Sequence, residues 1–461
     1  MMKNTKREIN LYQLFDYQGV ERHLEDMAAK GWRLERIGNA FWTYRRAEPA
    51  RLAYAVTYVS DASLFNPRPT DNQERLDDLC AAAGWEKVCD WAQMQIFVSE
   101  QPDPVPLETE DAVRIEAVHR SMKKNFLPSN FFLLVLPFLW LFMAFSNFRR
   151  DPLDFFSSST DFFLILLSLL LLSVQGVNLS AYYRWRRRSL ASVAQGGPCV
   201  STGGYRQFNL IFFGVLAVIL AAYLVSLTVW QRTSVGVYAL CLLIYGLILL
   251  AVLRTREGLK HIGAPKRLNM ALTITVDVVL AIAFVSLLTF GVLRLGWFTG
   301  EGNTYLYQNQ EWQADPPAIP LTAEDLTGIS YDHIRRREYG SGSPFMSRHT
   351  WSETACQDET NGDSRYYLSY TVTRTSITRL YNLVLEETMA NNNPDIWTIT
   401  WQPADPAPWG ADAVWRKYID GTTSDMWLLC WPGQIAELEA DGTLDGAQMA
   451  VVGEILAPGK E

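Results

Sequence analysis

The sequence predicts a membrane protein in three parts: an α+β domain ahead of the membrane, a five-helix transmembrane bundle, and a second α+β domain beyond it. Three observations predict it. Residues 127–297 contain apolar runs of about 20 residues, the length needed to cross a hydrocarbon core of ~30 Å. The first 100 residues contain a repeat at an offset of 53. Charge is segregated, because residues 300–461 hold 10 Lys+Arg against 24 Asp+Glu, a net of -14, whereas the first 299 residues carry +6. The 461 residues are long enough for two or three domains. Sixteen Trp, 20 Tyr and 22 Phe exclude a disordered or collagen-like chain, and an overall charge of -8 excludes a generally basic nucleic-acid binder, so no nucleic-acid partner is expected.

The opening, MMKNTKREINLYQLFDY, has no uninterrupted apolar run and no small-residue cleavage site, which predicts no signal peptide and a cytoplasmic N-terminus. The repeat aligns VERHLEDMAAKGW at 20–32 with QERLDDLCAAAGW at 73–85. In each copy a helical stretch ends at a Gly, the residue favoured in the left-handed conformation past a helix end, and a Trp opens an alternating segment. Strand pairs are expected at 32–37 with 41–46 and at 85–91 with 93–98, and a further strand before each helix at 9–15 and 52–58. The order βαββ, used twice, predicts an antiparallel sheet with both helices on one face over residues 1–100.

The run YQGVERHLEDMAAKGWRLERIGNAFWTYRRAEP, then LAYAVTY, then LDDLCAAAGWEKVCDWAQMQIFVSE, resembles the bacterial domain-of-unknown-function family 2812. The resemblance covers about residues 8–100, a fifth of the chain, and its motif positions here are Gly31, Trp32, Gly84, Trp85 and Trp91. It implies a cytoplasmic domain of Gram-positive bacteria, often attached to membrane spans, and carries over neither an activity nor a catalytic residue. The aromatic side chains Trp32, Trp42, Tyr44, Tyr54, Tyr58, Trp85, Trp91 and Phe97 either line a pocket or partner surface or pack a small two-layer core, the latter being the more economical reading.

Residues 101–126 form the linker: the prolines at 101–106 forbid a continuing helix or strand, and 109–124 reads as a juxtamembrane helix, a spacer or a transmitter of movement. The spans are expected at 127–147, 161–182, 208–230, 235–253 and 272–296, with a tight hairpin at 231–234. Loop basic residues set the direction. Arg184, Arg186, Arg187, Arg188 and Arg206 lie in one loop and Arg254, Arg256, Lys260, Lys266 and Arg267 in another, so both loops belong inside, residues 1–126 with them, and 298–461 outside. The candidate pathway residues within the spans are Gln175, Asn178 and Asp277, with Arg294 near the outer end of the fifth, too few for a charged transport pathway.

Outside, 298–320 reads as a stalk and 321–461 as an α+β domain. Thr322 is an N-cap candidate, RYYLSYTVTR, DIWTITWQ and DMWLLCWPGQIAELEAD read as strands, 380–389 and 444–456 as helices, and Arg335, Arg336 and Arg337 as a solvated helix face. Cys356 and Cys430, alone in the compartment where a disulfide persists, form a candidate bridge across 74 residues. No metal-hydrolase, P-loop, dinucleotide or esterase motif occurs, so no catalytic residue, metal or cofactor is expected. His333, with Asp332, Glu338 and His349 near it, lacks the spacing of a metal site. The expectation is a sensor or signal-transmitting regulator, not an enzyme. It has the lipid bilayer around it, a protein partner for residues 1–100, and a ligand or envelope component outside. The alternatives are a transporter or its accessory subunit, working through Asp277 or Gln175, and an envelope hydrolase that gathers acids from Glu386, Glu387, Asp332 and Glu338.

Overall fold

The structure, a computed structural model, describes residues 4–38, 41–108, 110–124, 126–201, 203, 205–229, 235–295, 303–358, 365–390 and 398–459. The first repeat folds as β1 (Thr5–Ile9), α1 (Tyr17–Ala29), β2 (Trp32–Ile37) and β3 (Phe41–Arg46), the second as β4 (Ala53–Tyr58), α2 (Asp71–Ala82), β5 (Glu86–Trp91) and β6 (Met94–Ser99). The expected single sheet is corrected to two antiparallel three-stranded sheets, ordered β1-β3-β2 and β4-β6-β5, so each repeat pairs its own strands in the same order. The duplication extends to detail. Gly31 (φ 77) and Gly84 (φ 82) end the two helices, and both ladders shift register at equivalent places, between Leu34 and Arg36 and between Lys87 and Cys89. A Cβ at Gly31 would stand 2.8 Å from the Ala47 carbonyl oxygen, so the left-handed turn also admits a close backbone approach.

β1 begins before the segment expected at 9–15. The apolar residues of that segment are spent elsewhere, since Phe15 is fully buried against aromatic rings of the helical region. On the other sheet, edge strand β4 is capped by α1: Glu21 accepts from Val56 N–H at 2.9 Å and Glu25 from Tyr54 N–H at 3.4 Å. Carboxylates four residues apart on a helix are spaced ~6 Å along its axis, close to the ~6.6 Å between alternate strand residues, which is why one helix face can satisfy the edge.

α3 (Asp111–Lys124) is the expected juxtamembrane helix, followed by α4 (Phe126–Arg150), the short α5 (Pro152–Ser157), α6 (Ser159–Ala194), α7 (Tyr205–Val229), α8 (Val235–His261) and α9 (Lys266–Leu295). Among the described residues four helices, α4, α6, α7 and α9, are long and apolar enough to cross a membrane. The remaining expected span, 235–253, lies within α8, a helix of 27 residues, and the hairpin expected at 231–234 lies outside the described residues.

Beyond them come β7 (Thr304–Tyr307), β8 (Gln310–Gln313), α10 (Ala323–Thr327), β9 (His333–Gly342), β10 (Ser347–Cys356), β11 (Arg365–Arg374), α11 (Thr378–Met389), β12 (Ile399–Ala404), β13 (Ala413–Ile419), β14 (Thr422–Trp431), β15 (Gln434–Ala440) and α12 (Gly446–Leu456). The strands form one antiparallel sheet of nine, ordered β12-β13-β14-β15-β11-β10-β9-β8-β7. It is covered on both faces. Trp427, Leu429 and Trp431 pack with Val452 and Leu456 of α12, while Leu428, Cys430 and Ile435 pack with Val384 of α11 and Leu153 of α5. A strand buried on both faces needs an unbroken apolar run, which is what WLLCW at 427–431 supplies.

Three expectations change here. The stalk holds the β7–β8 hairpin, and Arg335 to Arg337 lie on β9, where alternate residues face opposite sides of the sheet. The Cys356–Cys430 bridge is not made: neither cysteine is in a disulfide, and both are buried. Two strands, β15 and β11, separate β14 from β10, a distance of ~14 Å at ~4.8 Å per strand. A disulfide needs ~4.4–6.8 Å between Cα atoms.

The chain divides within its long helices into two compact units. One comprises residues 1–141, 166–220 and 238–285, the other 142–165, 221–237 and 286–461.

Candidate functional site

In the first unit the family-motif positions are structural. Trp85 is 5% exposed and donates from Nε1 to the Val105 carbonyl at 2.8 Å, holding the linker on the second repeat. Trp32 and Trp91 are half-buried against the main core, Trp32 under the Arg46 guanidinium. Gly31 and Gly84 make the turns already described. Trp42, Tyr44, Tyr54 and Tyr58 pack this core with Trp32 and Trp91 against it, whereas Trp85 and Phe97 pack a smaller cluster with Cys80.

The segment between β1 and α1 docks on helix ends. Phe15 meets the rings of Phe126, Tyr182, Trp185 and Tyr205 at centroid distances of 5.2–6.2 Å. Beside it Gln13 Nε2 donates to Asn178 Oδ1 (3.3 Å) and reaches Asn209 Oδ1 (3.5 Å), and Asn209 Nδ2 donates to the Leu11 carbonyl (2.8 Å). Two further tethers involve the α6–α7 loop and the first turn of α9. Cys199 N–H donates to Asp111 Oδ2 (2.9 Å), and Asn269 Nδ2 donates to the Phe65 carbonyl (3.2 Å). Of the candidate residues Gln175, Asn178 and Asp277, Asn178 therefore belongs to the docking seam. Gln175, one turn away, is buried with Oε1 unpartnered, and Asp277 is exposed on α9. They do not form one cluster.

In the second unit two cavities, of about 930 and 470 Å³, share His349 and Arg374. His349 stacks on Trp351 and Trp351 on Tyr370. His349 faces Gly340 across the ladder, where any Cβ would stand 2.5 Å from its Nδ1, so the imidazole lies over a position that only glycine leaves open. Arg374 donates from Nε to Gln434 at 2.8 Å.

A third cavity, of about 330 Å³, is lined by three cations, Arg150, Arg348 and Lys417, and three carboxylates, Asp151, Glu387 and Glu437. α5 forms part of its wall and is held there by polar bonds: Ser341 Oγ donates to Ser157 Oγ at 2.8 Å, and Ser343 Oγ to the Phe156 carbonyl. Burial pushes the Glu437 carboxyl above the usual range, only partly offset by Arg348 and by a 3.4 Å hydrogen bond from Thr388.

The acids considered for hydrolysis fall apart. Glu387 lines this third cavity, Glu338 lines the one with His349, and Asp332 accepts from Asp358 N–H. His333 is engaged at both ring nitrogens, by Tyr305 and Asp358. Among the described residues no three metal-ligating side chains converge.

Comparison with known proteins adds one finding. Residues 16–129 match the family described as protein of unknown function DUF2812, the N-terminal resemblance read from the sequence. No curated protein and no solved structure matches the chain.

Proposed function

We propose that the chain is a signal-transmitting membrane protein that binds a ligand outside and engages a protein partner inside. The single observation that carries this is the seam in which Gln13 bonds both Asn178 and Asn209, because it ties a folded domain directly to two membrane-length helices. A displacement of α6 against α7 would have to break or reshape that seam, so helix movement and domain position are coupled.

The proposed arrangement has five crossings, α8 included, with the N-terminal domain cytoplasmic. Side-of-membrane logic supports it. Residues ahead of the first span bond Cys199, between α6 and α7, and Asn269, in the first turn of α9, which share their side only after two and four crossings. α5, after the first span, bonds β9, which follows the last. The basic residues in the helix ends on either side of these two connections, Arg184 to Arg188 with Arg206 and Arg254 to Arg267, favour the inside for the first set.

The reading is tested by comparing transcripts under cell-envelope stress in cells that carry the intact chain, a deletion of residues 1–100, or the pair Gln13→Ala and Asn209→Ala. The double variant is expected to reach the membrane at the normal level and to lose the same response as the deletion. A deletion strain with every response intact would overturn the proposal.

A further inference from the structure

The charged cavity beside α5 is built unlike the other two. Its three positive and three negative side chains surround about 330 Å³, at the small end of ligand pockets, which run from ~300 to ~1,000 Å³. The charges are not consumed by one another. The Arg348–Glu437 pair stands at 3.8 Å, the edge of an ion pair, and Arg348 Nε is buried with no hydrogen-bond partner. Lys417 Nζ approaches the Met426 sulfur at 3.3 Å and the Trp401 ring at 5.9 Å, and makes no ion pair among the described residues. A half-buried carboxylate whose cationic neighbour stands no nearer than 3.8 Å attracts a cation, and an ammonium resting on a thioether and a ring has capacity left for an anion. Leu153, Pro152, Ala390 and Ile399 add apolar wall for a side chain.

We propose that this cavity binds a free α-amino acid, whose ammonium group lies on Glu437 and whose carboxylate lies on Lys417 and the neighbouring guanidinium of Arg348. A small zwitterion is the one ligand class that answers both signs at once; a simple anion would leave Glu437 uncompensated, and an amine would leave Lys417 so. The proposal rests on the sensor reading and deepens it, because Arg150 and Asp151 lie at the end of α4 and the start of α5, so an occupied site would touch the first span directly.

The test is calorimetric titration of the full chain in nanodiscs at neutral pH with glycine, leucine, glutamate, lysine and phenylalanine. At least one binds saturably, and its amide and N-acetyl derivatives bind about tenfold more weakly or worse. Glu437→Gln and Lys417→Met each weaken binding by a similar factor, while Glu311→Gln on β8 leaves it unchanged. Derivatives that bind as well as the parent, or no binding by any of the five, overturn the proposal. The derivative series uses the unaltered chain, so a variant that misfolds does not blunt it. An envelope-stress response without amino-acid binding overturns this site alone, whereas binding without any response supports the site and overturns the sensor reading.

Discussion

Glu21 accepts the Val56 N–H on the open edge of β4, and burial pushes its carboxyl up to about 7, with Glu25 and Glu108 adding to the shift and Arg114 opposing it. A carboxyl whose folded pKa is raised binds its proton more tightly in the folded state, so stability falls as pH rises from about 4.5 to about 7. Glu21→Gln keeps an acceptor for Val56 and removes the titration. The thermal midpoint of the N-terminal domain is expected to drop across that interval in the parent chain and to stay nearly flat in the variant; equal slopes would show that Glu21 is solvated. Single positions were unequally legible in the sequence. Gly31 and Gly84 were, because a helix stop that repeats 53 residues later specifies a backbone conformation. Glu21 was not, since what distinguishes it is a strand edge that only the fold brings to α1. The cavity charges are further from view still: Arg150, Arg348, Lys417 and Glu437 come from four separate stretches and share no spacing.

Among the elements, α12 shows how tightly one piece can be fitted. A Cβ at Gly453 would stand 1.9 Å from the Trp409 carbonyl oxygen, in the short 3-10 turn against which the helix packs. Gly453→Ala is expected to cost ~1–3 kcal/mol as overpacking, read as a lower midpoint in a denaturant titration followed by tryptophan fluorescence. Gly446→Ala on the same helix meets nothing within 4 Å and should be neutral or slightly stabilising. An unshifted midpoint for Gly453→Ala would mean that α12 can back away from the turn. Long elements could be read from sequence: α1 to α4, α7, α9, α11 and α12 fall where their patterns put them, whereas α6 runs on to Ala194 and takes Arg184 to Arg188, expected in a loop, into the helix. Pattern gives period but not partners, which is why one sheet was expected and two were found. α5 escaped notice because six residues are too few for a period, and Arg335 to Arg337 sit in a strand because ladder pairing with β10 outweighs a charge run that resembled a helix face.

For the molecule as a whole, the bond between Ser157 and Ser341 is the informative one, since it joins the loop after the first span to the strand region after the last. Replacing both with cysteine places two thiols in reach of each other. Five crossings predict that a membrane-impermeant oxidant links them in intact cells, seen as a mobility change that reductant reverses; thiols that stay unreactive to that oxidant while labelling from the cytoplasm would reverse the orientation. The same bond sets an order of events during synthesis. Its partners are 184 residues apart in the chain, and at ~5–20 residues per second the first waits ~10–40 s for the second to be made. Through that interval Leu153 and the phenylalanines beside it have no strands to cover them. The nascent chain therefore travels with the loop after its first long helix unfinished, and only a ribosome that has made the strands of the second unit can close it, so a truncated product would betray itself to surveillance proteases at that loop, far from its broken end.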